Sequence, residues 1–415
     1  MIGYYIHHVG SGHLARAAAI AAQLSEPVTG LSSLARPAGW IGDWVRLARD
    51  DGAVADVAEA AGAEVAGAGV AGAEVAGAEA AGAEAAGADV AGAEAAGADV
   101  AGADVAGAEA PDAAGRLHWV PVGDAGLRDR MAQVSQWIAE TAPSVLVSDV
   151  SVEIALLARL HGVAVVTIAL PGRRDDEAHR LGFAVSSVLL SAWPPEATGM
   201  LTGLDDAAAQ KHVAVGAISR FVPERGAGAR EPEPAAEREL KHEHEHEHEP
   251  ESERQPLGST RARRVLVLNG SGGDDLTADA VARARAQTPG WHWDVIGGGT
   301  GRWCDDPWPL ILAADVVVSH AGQNAVAEIA AARRPAVIVP QARPHDEQQH
   351  TAAVLAGGPW PAVVVDSFAT ADWPRALTEA QRLDGRDWAP WNDGQGAARA
   401  AAAIANVAAR RGLPA

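Results

Sequence analysis

Short, largely apolar runs alternate with alanine-rich segments along most of the chain. Ile2 to His7, Val145 to Asp149, Val163 to Leu170, Arg264 to Leu268, Trp293 to Ile296, Val316 to Val318 and Ala336 to Val339 have strand length and little polar alternation. That is the pattern of strands covered on both faces. Val28 to Leu31 and Leu117 to Val122 read as further strands, with candidates at Ser187–Leu190 and Val213–Ile218. Helical spacing of Ala, Leu and Ile covers Leu14 to Leu24, Gly126 to Thr141, Val152 to Leu160, Leu276 to Gln287, Leu310–Ala313, Asn324 to Ala332 and Gly396 to Arg411. Repeated β–α alternation predicts parallel sheets of the α/β class. It starts twice, so two Rossmann-like domains are expected, in 1–222 and 263–395, with a C-terminal helix in 396–415.

Two stretches leave this pattern. Residues 61–110 are ten pentapeptides, nine of the form Ala-Gly-Ala-Glu/Asp-Val/Ala and one, 66–70, with Gly in place of the acid. A period of five fits neither helix nor strand, and a glycine in every unit opposes a helix. We read 51–113 as a low-complexity surface insertion in the first domain. Residues 223–262 read as an acidic interdomain linker containing alternating histidines from His242 to His248. Nothing in the sequence pre-organises those histidines for a metal, so no metal site is assigned to them.

Charge changes the picture little. The net charge is −21, but 61–110 hold nine acids and no bases, and 224–254 hold eleven acids and five bases. The remainder carries −6, with no basic stripe for nucleic acid. The single cysteine, Cys304, excludes an internal disulfide. The N-terminus lacks the basic and apolar regions of a signal peptide. The longest apolar stretch, Ile154 to Leu170, is interrupted by Arg159, His161 and Gly162 and is too short to span a bilayer. A cytoplasmic protein is expected, with peripheral membrane contact left open.

The chemistry concentrates in Ala314 to Gln349, one βαβ unit with a small-residue turn entering its helix. A helix N-terminus offers unpaired N–H groups and a partial positive charge, which suits phosphate. Gly322 leaves room for close approach, beside His320, Gln323 and Asn324. Glu328 shares a helix face with Asn324, where a carboxylate can accept both hydroxyls of a ribose. The following loop ends in Asp346-Glu347-Gln348-Gln349, and side chains that both donate and accept suit sugar hydroxyls. Phosphate, ribose and sugar follow one another in a nucleotide-sugar.

Ser319, Gly322, Glu328, Gln348 and Gln349 resemble the donor motif of GT-B glycosyltransferases. The likeness is to the family-28 type, whose S-x-x-G-x-x-x-x-x-E pattern is followed about twenty residues later by paired glutamines. The loop Gly270-Ser271-Gly272-Gly273 resembles that family's G-G-S-x-G loop, which lies beside the diphosphate. The resemblance implies a GT-B type fold, with two Rossmann-like domains whose parallel sheets face each other across a cleft. It implies a hexosyltransferase taking sugar from a nucleotide-diphospho-sugar, such as a UDP-sugar, to a small-molecule or lipid-linked acceptor. It further implies inversion at the anomeric carbon, with no cofactor and no bound metal. Trp303 and Trp308 lie in the loop before Leu310, a segment that the resemblance places near the base, but packing is the reading preferred for both rings.

The first domain opens with Val9-Gly10-Ser11-Gly12-His13, which is not the dinucleotide pattern G-x-G-x-x-G. His13 falls near a helix N-terminus, where a neutral imidazole, and hence a general base, is favoured. Gly10, Ser11, Gly12 and His13 resemble the end of the family's acceptor loop, while His7, His8 and Val9 replace its first glycines. Asp149 ends its strand, and either caps the helix starting near Ser151 or orients His13 as a dyad partner. Glu153 is a lesser candidate acid. Gly10-Ser11-Gly12-His13-Leu14-Ala15-Arg16 also resembles the Gly-x-Gly-His-x-x-Arg loop of certain nucleotide-sugar hydrolases. A hydrolase and a non-catalytic nucleotide-sugar-binding protein are the alternatives.

Overall fold

A computed structural model describes residues 1–8, 11–50, 111–223, 262–270, 276–298 and 301–410. The pentapeptide insertion, the linker with its histidine run, and Gly10 and Ser271 to Gly273 lie outside these.

The first sheet has seven strands, all parallel. They are β1 (Ile2–Tyr5), β2 (Val28–Ser32), β3 (Trp44–Arg46), β4 (Val145–Asp149), β5 (Ala164–Ile168), β7 (Val188–Ser191) and β9 (His212–Ala214), in the order β3-β2-β1-β4-β5-β7-β9. A two-stranded ribbon joins β6 (Gly172–Arg173) to β8 (Leu201–Thr202). The second sheet is also parallel: β10 (Arg263–Leu268), β11 (Trp291–Ile296), β12 (Val316–Ser319), β13 (Ala336–Ile338) and β14 (Ala362–Val364), in the order β11-β10-β12-β13-β14. Every residue of β1, β2, β4, β12 and β13 is buried, as expected of strands covered on both faces.

Each sheet is packed on two sides. Helices α2 (Ala125–Thr141) and α3 (Val152–Leu160) cover one face of the first through Val134, Trp137, Ile138 and Ile154. The other face is covered by α1 (Ser11–Ala21) and by the last helix of the chain, Gly396–Ala409, whose Ile404 and Val407 join Ile2, Tyr4 and Ile20 in one core. The chain thus returns to its first domain, tied there also by Arg399 donating to Val215 O at 2.7 Å. On the second sheet, α6 (Ala278–Gln287) packs one face, while α8 (Gln323–Ala331) lies on the other.

Local sequence explains most helix starts. Asp124, Ser151, Asp176, Asp205, Thr277 and Asp372 each accept a hydrogen bond from a backbone N–H three residues on. Three expectations fail. Residues 117–122 form no strand: Pro121 has no donor for a ladder, and Val122 is exposed. Strand β3 went unread because it is three residues long at the sheet edge. Gln348 and Gln349 lie not in a loop but in the first turn of a helix, α9 (Glu347–Gly357).

Candidate active site

In each sheet the strand order reverses where one strand is flanked by partners reached in opposite directions, and ligands of such sheets bind at that crevice. In the first sheet the reversal lies between β1 and β4, in the second between β10 and β12.

His13 and Asp149 sit at the first of these points. Ser11 to His13 already belong to α1, so His13 stands in its first turn rather than before it. Its Nδ1 is 3.1 Å from Asp149 Oδ1. Ser151, not Asp149, caps α3, accepting from Ile154 N at 3.2 Å. This frees the Asp149 carboxylate, which is fully buried. Val150 between them has φ 67°, a left-handed conformation that a β-branched residue adopts only under constraint. Arg16, one helical turn after His13, donates through Nη2 to Asp149 Oδ1 at 2.7 Å. Burial pushes the Asp149 carboxyl up, but Arg16 and His13 more than offset this and it falls to about 2. His7 lies beside the pair, its ring centroid 5.8 Å from that of His13, and burial pushes it down to about 3. Glu153 is not part of the cluster: it accepts from His118 N, Trp119 N and Ser151 Oγ, bracing the preceding loop.

The second half meets this group directly. Asn324 lies against Gly12, and a Cβ at Gly12 would overlap its amide nitrogen. Arg16 Nη1 lies 3.5 Å from Gln323 Oε1. The turn entering α8 therefore faces the His13 helix, with Gly322 at the cap and no side-chain cap hydrogen bond among the described residues. Ser319 donates to Leu268 O at 2.8 Å. His320 approaches Val339 O and the Asn269 amide, each at 2.9 Å, so it ties β10 to β13 rather than facing the turn. Among the described residues, nothing lies within 4 Å of where a Cβ on Gly270 would stand.

Glu328 is nearly buried and accepts from Arg220 Nε at 2.8 Å. Burial raises its carboxyl, and Arg220 opposes the rise. Gln348 accepts from Gln341 N at 3.0 Å, and Gln349 donates to Gln341 O at 2.9 Å. Both amides thus fix the turn after β13, while Gln349 Oε1 is buried with no partner among the described residues. Trp308 stacks on Phe221 at 4.6 Å, so it packs; Trp303 is exposed.

One further group was not legible in the sequence. His118, Asp176 and His179 converge between the halves, with His345 Nδ1 3.6 Å from Asp176 Oδ2. His345 and Asp346 both have positive φ, 59° and 55°. The three side chains have metal-ligand types, but Arg174 Nη1 lies 3.3 Å from His179 Nε2 and its Nη2 is anchored on Pro171 O at 2.8 Å. A divalent ion would face that fixed cation, so we read the group as a polar and ring-packing contact between the halves, His345 lying edge-on to His179 at 4.8 Å. A close approach at Gly172, φ 107°, completes the contact, since a Cβ there would overlap His345 O.

Residues 304–358 match the family model described as the glycosyltransferase family 28 C-terminal domain. Over 115 residues the chain is 38% identical to the UDP-N-acetylglucosamine--N-acetylmuramyl-(pentapeptide) pyrophosphoryl-undecaprenol N-acetylglucosamine transferase of Nitratidesulfovibrio vulgaris, covering 22% of this chain and 32% of that protein. The chain thus spans about a third of the length of the curated relatives it matches. Among solved structures, the calicheamicin glycosyltransferase CalG4 superposes with TM-score 0.54 at 14% identity, covering 99% of each chain. A UDP-glucosyltransferase from Polygonum tinctorium gives 0.54 at 13%, covering 98% of each. The glycotransferase of kitacinnamycin gives 0.53 at 14%, covering 100% of this chain and 99% of that one. The fold is the GT-B type, and the family-28 resemblance of the second half is shared by the family model.

Proposed function

We propose that the protein is a glycosyltransferase, moving a sugar from a nucleotide-diphospho-sugar to an acceptor hydroxyl or amine. The observation that carries this is a convergence. The switch points of both sheets meet, bringing the His13 helix against the N-terminus of α8, which has no side-chain cap among the described residues.

Asp149 is ionised and lies 3.1 Å from His13 Nδ1. When Nδ1–H donates to that carboxylate, Nε2 carries the lone pair and takes the acceptor proton. The acceptor oxygen or nitrogen attacks the anomeric carbon as the bond to the diphosphate breaks, a displacement that inverts the centre. Backbone N–H groups at Gln323 and Asn324 meet the charge that develops on the leaving diphosphate, and Gly270 to Gly273 supply more. Glu328 takes the ribose hydroxyls. Because it already holds Arg220, the ribose either shares that carboxylate or displaces the guanidinium. Gln348 and Gln349 shape the turn that receives the sugar, with the unpartnered Gln349 Oε1 left to accept a sugar hydroxyl. No step calls on a metal or cofactor. Among the described residues no helix is long and apolar enough to cross a membrane.

Calorimetric titration of UDP, dTDP, GDP and ADP into wild type and Glu328→Ala tests the donor site. A charged hydrogen bond contributes about 1.5–3 kcal/mol, so the variant should bind the preferred nucleotide roughly ten- to a hundred-fold more weakly. Equal binding by both proteins, or no nucleotide bound by wild type, would refute the assignment.

A further inference from the structure

We infer that Arg16 is a positioning residue that holds the His13–Asp149 pair one proton short, so that His13 stands ready as a base. The inference rests on reading that pair as the catalytic dyad.

Three atoms form a tight triangle. Arg16 Nη2 is 2.7 Å from Asp149 Oδ1 and 3.0 Å from His13 Nδ1, and the last two are 3.1 Å apart. A guanidinium only donates, and Arg16 Nη2 is in hydrogen-bonding geometry to both neighbours, its two N–H bonds bent from linear because the neighbours lie close together. The shorter, charge-assisted contact to the carboxylate takes one hydrogen. In the tautomer that makes Nε2 the base, His13 Nδ1–H donates to the same oxygen and Arg16 acts on it through its charge. Asp149 Oδ2 has no partner among the described residues, and neither has Arg16 Nε. The buried carboxylate is therefore balanced by Arg16 and His13 alone. With Arg16 present, Asp149 is already neutralised, and an imidazolium would meet a like charge at 3.0 Å. Without Arg16, a lone buried carboxylate would face His13. The pair would then capture a proton, on the carboxyl or on the imidazole, and in either form the base is lost.

The other groups facing the pair do not supply this charge. Tyr4 from β1 is buried, its hydroxyl without a partner among the described residues, and burial keeps it neutral. His7 lies at 5.8 Å and is stacked on His8, and burial holds His7 neutral. From the second half come Gln323, which is uncharged, and Glu347, an acid whose field reaches both His13 and Arg16. Glu347 itself lies 3.7 Å from Arg174, which partly balances it. Among the described residues, Arg16 is the sole Arg or Lys within ion-pair distance of Asp149.

The test is an NMR titration of the histidine side chains in the full-length protein, with the His13 signals identified by their absence in His13→Gln. Arg16→Met should move the midpoint of the dyad up by about one to three pH units, the range set by a charge a few ångströms away. Arg16→Lys, which keeps the charge, should restore most of the shift. A midpoint in Arg16→Met at or below that of wild type overturns the inference, as does a Lys variant indistinguishable from Met. Arg16→Gln replaces Met if the latter does not fold. In a sugar-transfer assay the acid limb of the kcat/KM profile should move the same way, whereas loosened packing alone would lower the whole profile without moving its limb. If wild type transfers no sugar, the proposed function fails, yet the titration still decides the role of Arg16.

Discussion

Replacing Asp149 by Asn removes one buried charge and almost no volume. In the native protein this carboxylate is fully enclosed and 2.7 Å from the Arg16 guanidinium, itself buried. Its carboxyl is lowered from 3.8 to about 2, the attraction of Arg16 and His13 exceeding the cost of burial. A group whose pKa is depressed by folding stabilises above its unfolded pKa, and this is lost as pH falls through the folded value. The shift alone corresponds to about 2 kcal/mol, and breaking a buried pair by deleting one partner costs about 3–5 kcal/mol. We therefore expect Asp149→Asn to lose about 2–5 kcal/mol near neutral pH. Urea unfolding of both proteins at a series of pH values measures this. The difference should be constant above about pH 5 and should shrink as pH falls from about 4 toward 2. A loss below about 1 kcal/mol, or a difference that does not depend on pH, would show that Asp149 is not an ionised partner of Arg16.

Two more outcomes follow from the same geometry. His13→Ala should lower sugar transfer by about 10²- to 10⁴-fold, the usual share of a general base, while nucleotide affinity measured by calorimetry stays within about threefold. Ile404→Ala, in the C-terminal helix, should destabilise by about 2–5 kcal/mol in urea unfolding, because Ile404 is fully enclosed against Ile2, Tyr4 and Ile20 of the first domain.

The α/β class and the two parallel sheets were legible in the sequence, because strands buried on both faces are written as unbroken apolar runs; the GT-B type came from the resemblance carried by Ser319, Gly322, Glu328, Gln348 and Gln349. The same holds for the turn Ser319 to Asn324, where strand, small residues and helix follow one another within ten positions. Strand β3 and the ribbon β6–β8 were not legible: two or three residues carry no periodicity, and only neighbours in space make them strands. Leu117 to Val122 misled for the converse reason, since an apolar run without a place in the ladder forms no strand.

The site divides along the same line. Sequence placed His13, Asp149 and the α8 turn at the ends of their own strands, because each belongs to a local strand–loop–helix unit. It left the role of Asp149 open between cap and dyad partner. Packing removed the cap reading and placed Asp149 beside His13, once Ser151 took the cap and β4 came to lie beside β1, setting Asp149 against a residue 136 positions earlier. Arg16 with Gln323, Arg220 with Glu328, and the His118, Asp176, His179 and His345 contact join residues from opposite halves or distant loops. No spacing encodes such pairs, because their distances are fixed by how two separately folded sheets meet.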